Sequence, residues 1–265
     1  MRLAWATDIH LEFLTPPALT AFCITLARSS AQAFLISGDI SQARGLAKHL
    51  RILERTLERP VYFVLGNHDY YHGSIAQVRE RMTEITAQSP WLRWLPAVGA
   101  VELSEGTGLL GHDGWADGRL GDYMNSGVLL NDYRLIEDLQ GLDRISRLAR
   151  LNQLGSEAAD FFRLHLPDAL ARWPRLIVLT HVPPFAEAAW YMGRRSDDDW
   201  LPHLTCKAVG DVLYQAMVTR PDREMLVLCG HTHSAGEVEI LPNLKVVTGG
   251  ARYGEPVVQR EWEEG

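Results

Sequence analysis

The sequence predicts an α/β protein, and three observations carry that prediction. Short runs rich in Val, Ile and Leu recur along the chain, helical patterns separate the early ones, and each run breaks off into Asp, His or Asn. Leu3 to Thr7 leads into Asp8-Ile9-His10, Ala33 to Ser37 into Gly38-Asp39, and Val61 to Leu65 into Gly66-Asn67-His68-Asp69. Farther on, Leu176 to Thr180 leads into His181, and Met225 to Cys229 into Gly230-His231-Thr232-His233. Continuous apolar runs of this length suit strands buried on both faces. Their alternation with helices implies parallel strands joined by crossovers.

Taken in order, the helices have recognisable starts. Thr15 followed by Pro16 and Pro17 is a capping residue with prolines tolerated in the first turn. Ser41 is expected to cap a helix that runs toward Arg59 and is stopped by Pro60. Ser74 with Gln77 resembles a capping box for a helix through about Gln88. From Trp91 to Gly114, apolar stretches broken by Gly and Pro predict strands, as do Gly236 to Ile240, Lys245 to Thr248 and Val257 to Gln259. Arg144 to Trp173 reads as helical, with Pro167 expected to break the helix or start a new one. Residues 117–143 and 185–203 are polar, aromatic and irregular, and read as insertions at an active-site rim. With no repeat or linker visible, residues 1–265 are expected to form a single domain.

Bulk properties narrow the function. A chain of 265 residues that is 46% hydrophobic and 22% charged is long enough to bury a sizeable core. Its net charge of −7 argues against a nucleic-acid partner bound through a general basic field. A nuclease is not thereby excluded, because a metal centre supplies its own positive charge. Cys23, Cys206 and Cys229 are odd in number and far apart, which suggests free thiols in a reducing compartment. The N-terminal MRLAWATDIH lacks a signal-peptide pattern. No stretch approaches the roughly 18 apolar residues of a membrane span, so the expected location is the cytoplasm, with no membrane partner. The sequence carries no signal for oligomeric state.

The chemistry sits at the strand ends. In open α/β sheets, ligands gather beyond the carboxyl ends of the strands, where loops converge. One Asp or His there is ordinarily a turn former, but five successive runs ending in metal-ligand types demand more. Crowded carboxylates and imidazoles cost desolvation energy unless something positive holds them. Carboxylate, imidazole and amide oxygen without thiolate favour Mn²⁺, Fe²⁺/Fe³⁺ or Zn²⁺. Asp8-x-His10 and His231-x-His233 are expected to place both side chains on one side of an extended segment.

This ordered series, Asp-x-His, Gly-Asp, Gly-Asn-His-Asp, a lone His and Gly-His-x-His, resembles the calcineurin-like metallophosphoesterase superfamily from residue 8 to residue 233. The resemblance implies a four-layer α/β/β/α sandwich of two mixed sheets flanked by helices. It also implies two divalent or mixed-valence metal ions (Mn, Fe or Zn). Asp8, His10 and His233 would hold one ion, Asn67, His181 and His231 the other, and Asp39 would bridge them. His68 is implied as a catalytic residue that stabilises the transition state or protonates the leaving group, with Asp69 orienting it.

The reaction implied is hydrolysis of a phosphomonoester or phosphodiester of a small molecule by direct attack of a metal-bridging hydroxide. The alternatives are a nuclease or phosphoprotein phosphatase on the same centre, and, from another class, a non-catalytic interaction scaffold. His112 and Asp113 read as a turn, His72 as a surface residue, and His49 and His165 as structural. Of Arg119, Arg134, Arg194 and Arg195, at most one is expected to meet substrate. Trp115, Tyr123, Tyr133, Trp190 and Tyr191 are expected to pin their loops.

Overall fold

The computed structural model describes residues 1–265. Its strands are β1 (Arg2–Ala6), β2 (Ala33–Ser37), β3 (Val61–Val64), β4 (Leu92–Trp94), β5 (Val101–Ser104), β6 (Thr107–Gly111), β7 (Arg175–Leu179), β8 (Trp190–Tyr191), β9 (Arg194–Arg195), β10 (Glu224–Cys229), β11 (Gly236–Leu241), β12 (Leu244–Thr248) and β13 (Arg260–Glu263). The helices are α1 (Pro16–Arg28), α2 (Ala43–Leu57), α3 (Ile75–Ala87), α4 (Leu95–Val98), α5 (Asp132–Leu135), α6 (Arg144–Arg172), α7 (Leu201–Leu204) and α8 (Lys207–Val218).

Two mixed sheets form the centre. One runs β13-β1-β2-β3-β4, parallel except for β13. The other runs β11-β12-β10-β7-β6-β5, with a parallel core and antiparallel strands at both edges. The period-two alternation of a strand explains why the runs are apolar throughout. Leu3, Trp5, Ala33 and Leu35 meet Ile177, Leu179, Leu226 and Leu228 between the sheets. Their neighbours Ala4, Ala6, Phe34 and Ile36 face α1, α2 and α3. Leu176, Val178, Met225 and Val227 face α6 and α8 on the opposite side. The result is the α/β/β/α sandwich, with three apolar seams between four layers.

The caps at Thr15 and Ser74 form as expected, accepting from the amides of Ala18 (3.4 Å) and Gln77 (3.3 Å). Three local expectations are corrected. Ser41 caps nothing: its hydroxyl pairs with His49 Nδ1 at 2.7 Å, and α2 starts after Gln42. Pro167 neither breaks nor restarts α6, which continues unbroken to Arg172. The last strand lies at Arg260–Glu263, beyond Val257–Gln259, because pairing with β1 decides which residues join the sheet. No helix is long and apolar enough to cross a membrane, and all three cysteines are free and buried.

Candidate active site

The carboxyl ends of β1, β2, β3, β7 and β10 open onto one cavity, and the loops that follow are tied together. The Asp8 amide donates to the Gly38 carbonyl and the His10 amide to the Asp39 carbonyl, both at 3.0 Å. Asp8 and His10 are not in an extended segment, contrary to expectation. Both have left-handed backbones, with φ of 49° and 39°, as do Asp39 (51°), His231 (69°) and His233 (55°). Each such residue costs on the order of 1–2 kcal/mol relative to right-handed backbone. Strain of this kind persists where the surroundings over-determine it. Here those turns, not strand alternation, bring the side chains of each x-spaced pair to one centre.

Two glycines make the convergence possible. A Cβ on Gly66 would collide with the Asp39 carboxylate, and one on Gly230 with the Asp8 carboxylate and the Thr7 hydroxyl. The invading atoms belong to buried residues with no room to retreat.

The donor atoms fall into two groups around Asp39. On one side, His10 Nε2 lies 3.7 Å from Asp39 Oδ2 and 3.1 Å from His233 Nε2, and His233 Nε2 lies 3.4 Å from Asp8 Oδ1. These four residues hold their ligand atoms within 4.8 Å of one another. On the other side, His181 Nε2 lies 3.4 Å from Asp39 Oδ1 and 3.0 Å from Asn67 Oδ1. His231 Nδ1 is 2.9 Å from the same Asn67 oxygen. The two oxygens of Asp39 therefore face different groups.

Second partners fix which nitrogen faces inward. His181 Nδ1–H donates to the Ser37 carbonyl and His231 Nε2–H to the His203 carbonyl, both at 2.9 Å. Each leaves the opposite lone pair directed at the cavity. Burial holds both imidazoles neutral, with pKa values lowered to about 4, and lowers that of His10 as well.

The carboxylates are in conflict. Burial, then the charge of Asp8, raises the Asp39 pKa well above the usual range. Burial would raise the Asp8 pKa, but its contact with His233 counters this and the pKa is lowered on balance. Two buried carboxylates side by side need a positive partner. Neutral imidazole lone pairs, carboxylates and an amide oxygen are the donor set that a pair of divalent cations requires, so the residues fit such a centre.

Asp69 does not meet His68, contrary to the orientation expected of it. Its Oδ1 accepts from the amides of Ile40 (3.0 Å) and Ser41 (2.8 Å), and its Oδ2 from the amide of Gly66 (2.8 Å). It clamps two site loops together behind the cavity. The carboxylate nearest the His68 ring is instead Glu12, whose Oε1 is 3.8 Å from Nδ1. The His68 ring stacks on Tyr71 (centroids 4.2 Å apart, planes at 28°), and its amide donates to Asp39 Oδ1 at 2.8 Å.

Other residues of the site escaped sequence reasoning. Asp132 accepts from Asn67 Nδ2 at 2.8 Å and from the Tyr71 hydroxyl at 2.7 Å. Lying in an irregular segment, it carried no motif. Asp113, read as part of a turn, accepts from the Leu65 amide (2.8 Å), Trp94 Nε1 (3.0 Å) and the Tyr70 hydroxyl (2.7 Å), bracing the loop after β3. Glu12 had a signal available in its position two residues after His10.

Above the cluster lies a pocket of about 300 Å³, floored by Asp39, Asn67, His68, His231 and His233. Leu130, Tyr191, Trp200, Leu204 and Tyr253 form its walls, and no Lys or Arg is among its lining residues. None of the four flagged arginines lines it; Arg119 is spent on Asp117, Ser156 and the Asn152 carbonyl. Trp115, Tyr123 and Tyr133 are buried in the core, as expected of loop pins, but Tyr191 faces the pocket and stacks on Trp200 (5.7 Å, planes at 14°).

A double-sheet sandwich with a histidine–carboxylate cluster at its strand ends is the arrangement a metal-dependent hydrolase would use. More particularly, the chain belongs to the calcineurin-like phosphoesterase family, whose sequence profile matches residues 1–235. No functionally curated protein sequence matches it. Among solved structures it is similar to phosphopantetheinyl hydrolase from Mycobacterium tuberculosis, with a TM-score of 0.65 and 15% identity over 95% of this chain and 89% of that one. A dimetal phosphatase from Danio rerio matches with a TM-score of 0.55 and 12% identity over 94% and 87% of the two chains. A protein of Thermus thermophilus matches with a TM-score of 0.54 and 15% identity over 94% and 88%. At these identities the likeness establishes the fold.

Proposed function

We propose that the chain is a two-metal phosphoesterase acting on small phosphate esters. The observation that carries this reading is that the two oxygens of Asp39 face separate donor groups. Asp8, His10 and His233 would hold one ion with Asp39, and Asn67, His181 and His231 the other. Two cations bound there would supply an activated water and neutralise charge on the phosphoryl oxygens. His68, which also lines the pocket, would stabilise the transition state or protonate the departing oxygen.

The pocket favours a small substrate over a nucleic acid or a protein surface. Asn131, Asp132 and Thr232 line it beside the apolar and aromatic residues and no cation does, so it suits a leaving group that carries no negative charge and is partly flat. Tyr191 and Trp200 offer the face for it.

The test strips the protein with chelator, restores Mn²⁺, Fe²⁺ or Zn²⁺, and measures release of p-nitrophenol from the mono- and bis-p-nitrophenyl phosphates. Metal-dependent turnover is expected with at least one ester, and its loss is expected in Asp39→Asn. Inactivity toward both esters under every metal would return the chain to a non-catalytic scaffold, and wild-type activity in Asp39→Asn would remove the two-metal assignment.

A further inference from the structure

Glu12 turns its carboxylate back into the site, and both of its oxygens are shut from solvent without a hydrogen-bond partner. His10 Nδ1 and His68 Nδ1 are stranded in the same way. Glu12 Oε1 faces both ring nitrogens, 3.5 Å from His10 Nδ1 and 3.8 Å from His68 Nδ1. A buried carboxylate left unpartnered costs several kcal/mol. Each gap exceeds a hydrogen bond by under about 1 Å, within reach of a small side-chain rotation. The backbone is fixed meanwhile, since the Leu11 amide donates to the Ile40 carbonyl at 2.9 Å in the turn that carries Glu12.

We propose that Glu12 is a positioning residue shared by two imidazoles, accepting Nδ1–H from both His10 and His68. The bond to His10 directs its Nε2 lone pair toward Asp39 and His233. The bond to His68 directs its Nε2 at the pocket; this half rests on the phosphoesterase reading. A cation held by His10, Glu12 and His68 is the competing use of the cluster. It would require both nitrogens of His10 to act as acceptors at once, which a neutral imidazole does not allow.

The test uses the full chain with Glu12→Ala, Glu12→Gln, His68→Ala and the Glu12→Ala/His68→Ala pair. Histidine ¹⁵N shifts in metal-stripped protein are expected to show His10 and His68 as Nδ1–H tautomers, lost in Glu12→Ala. Mn²⁺ affinity should fall about 10–100-fold in Glu12→Ala whether or not His68 is present. At saturating Mn²⁺, kcat should fall about 100-fold with KM unchanged, yet little further when His68 is already alanine. Glu12→Gln, nearly isosteric, keeps one acceptor and should recover part of each loss; it also carries the test if Glu12→Ala does not fold.

Unchanged tautomers with wild-type Mn²⁺ affinity overturn the proposal. So does a kcat loss that multiplies in full in the double variant. Loss of a third Mn²⁺ equivalent in Glu12→Ala would replace it with the cation site. Shifts and affinity need no turnover, so an inactive wild type would count against the phosphoesterase reading and not against Glu12.

Discussion

The amide nitrogen of Asn67 donates to Asp132 Oδ1 at 2.8 Å, and that bond turns the amide oxygen toward His181 and His231. Without it, the amide could rotate and present its N–H₂ group to the site. Asp132→Ala is therefore expected to weaken metal binding by about 10–100-fold while leaving the fold intact. Mn²⁺ titration of stripped protein, alongside circular dichroism, measures both. Unchanged affinity would mean that Asn67 is held by other means.

The His68 ring lies against Glu12, Tyr71 and His10, while the Asp69 carboxylate is taken up by backbone amides. His68→Ala should keep both metals, as counted by elemental analysis, while kcat falls about 10²–10⁴-fold. Asp69→Asn should instead act through stability, since the Asp69 carboxylate clamps the amides of Ile40, Ser41 and Gly66. A lower thermal midpoint with a modest kcat change would fit; the reverse pattern would restore Asp69 as a partner of His68.

Gly230→Ala tests the close approach directly. The new methyl group meets the Asp8 carboxylate and the Thr7 hydroxyl, both inside the sheet-end cluster. Metal content and activity should both be lost, with a destabilisation on the order of 1–3 kcal/mol. A fully metallated Gly230→Ala protein would show that the loop has slack the packing does not suggest.

His112 is expected to contribute to acid sensitivity of the metal-stripped protein. Burial is the main cause that lowers its pKa from the ordinary 6.5 to about 4, and Nδ1 accepts from the Gly114 amide at 3.2 Å. Between those values the unfolded chain takes up a proton that the folded chain does not. Stability attributable to His112 is therefore present above pH 6.5 and lost as pH falls toward 4, by roughly 3 kcal/mol. Denaturant melts of chelator-treated protein should show the decline, and His112→Asn, which keeps an acceptor but cannot ionise, should make it shallower by the His112 share, with His181 and His231 supplying the rest. Equal slopes in the two proteins would place the proton uptake elsewhere.

Trp200→Ala should raise KM for aryl esters several-fold while leaving kcat nearly unchanged if, as proposed, the stacked Tyr191–Trp200 wall receives the leaving group. Equal losses for aryl and methyl phosphate esters would remove this wall from substrate recognition.

The sequence by itself determined the alternation of strand and helix and the places where the five site-bearing strands end, though not the last strand, which pairing with β1 placed at Arg260–Glu263. Those are local matters of apolar runs, capping residues and breakers, and they are written in adjacent residues. It also carried the motif series that marks the family, because each motif lies within a few consecutive positions. Tertiary structure alone decided what Asp69, Glu12, Asp113, Asp132 and the His203 carbonyl do. Their partners are distant in the chain or are backbone atoms, so no spacing records them: Asp132 is 65 residues from Asn67, and His203 meets His231 through its main chain. The left-handed turns at Asp8, His10, His231 and His233 belong to the same class. A period of two suggested extended pairs, but convergence of five strand ends on one cavity imposed turns that local preference opposes.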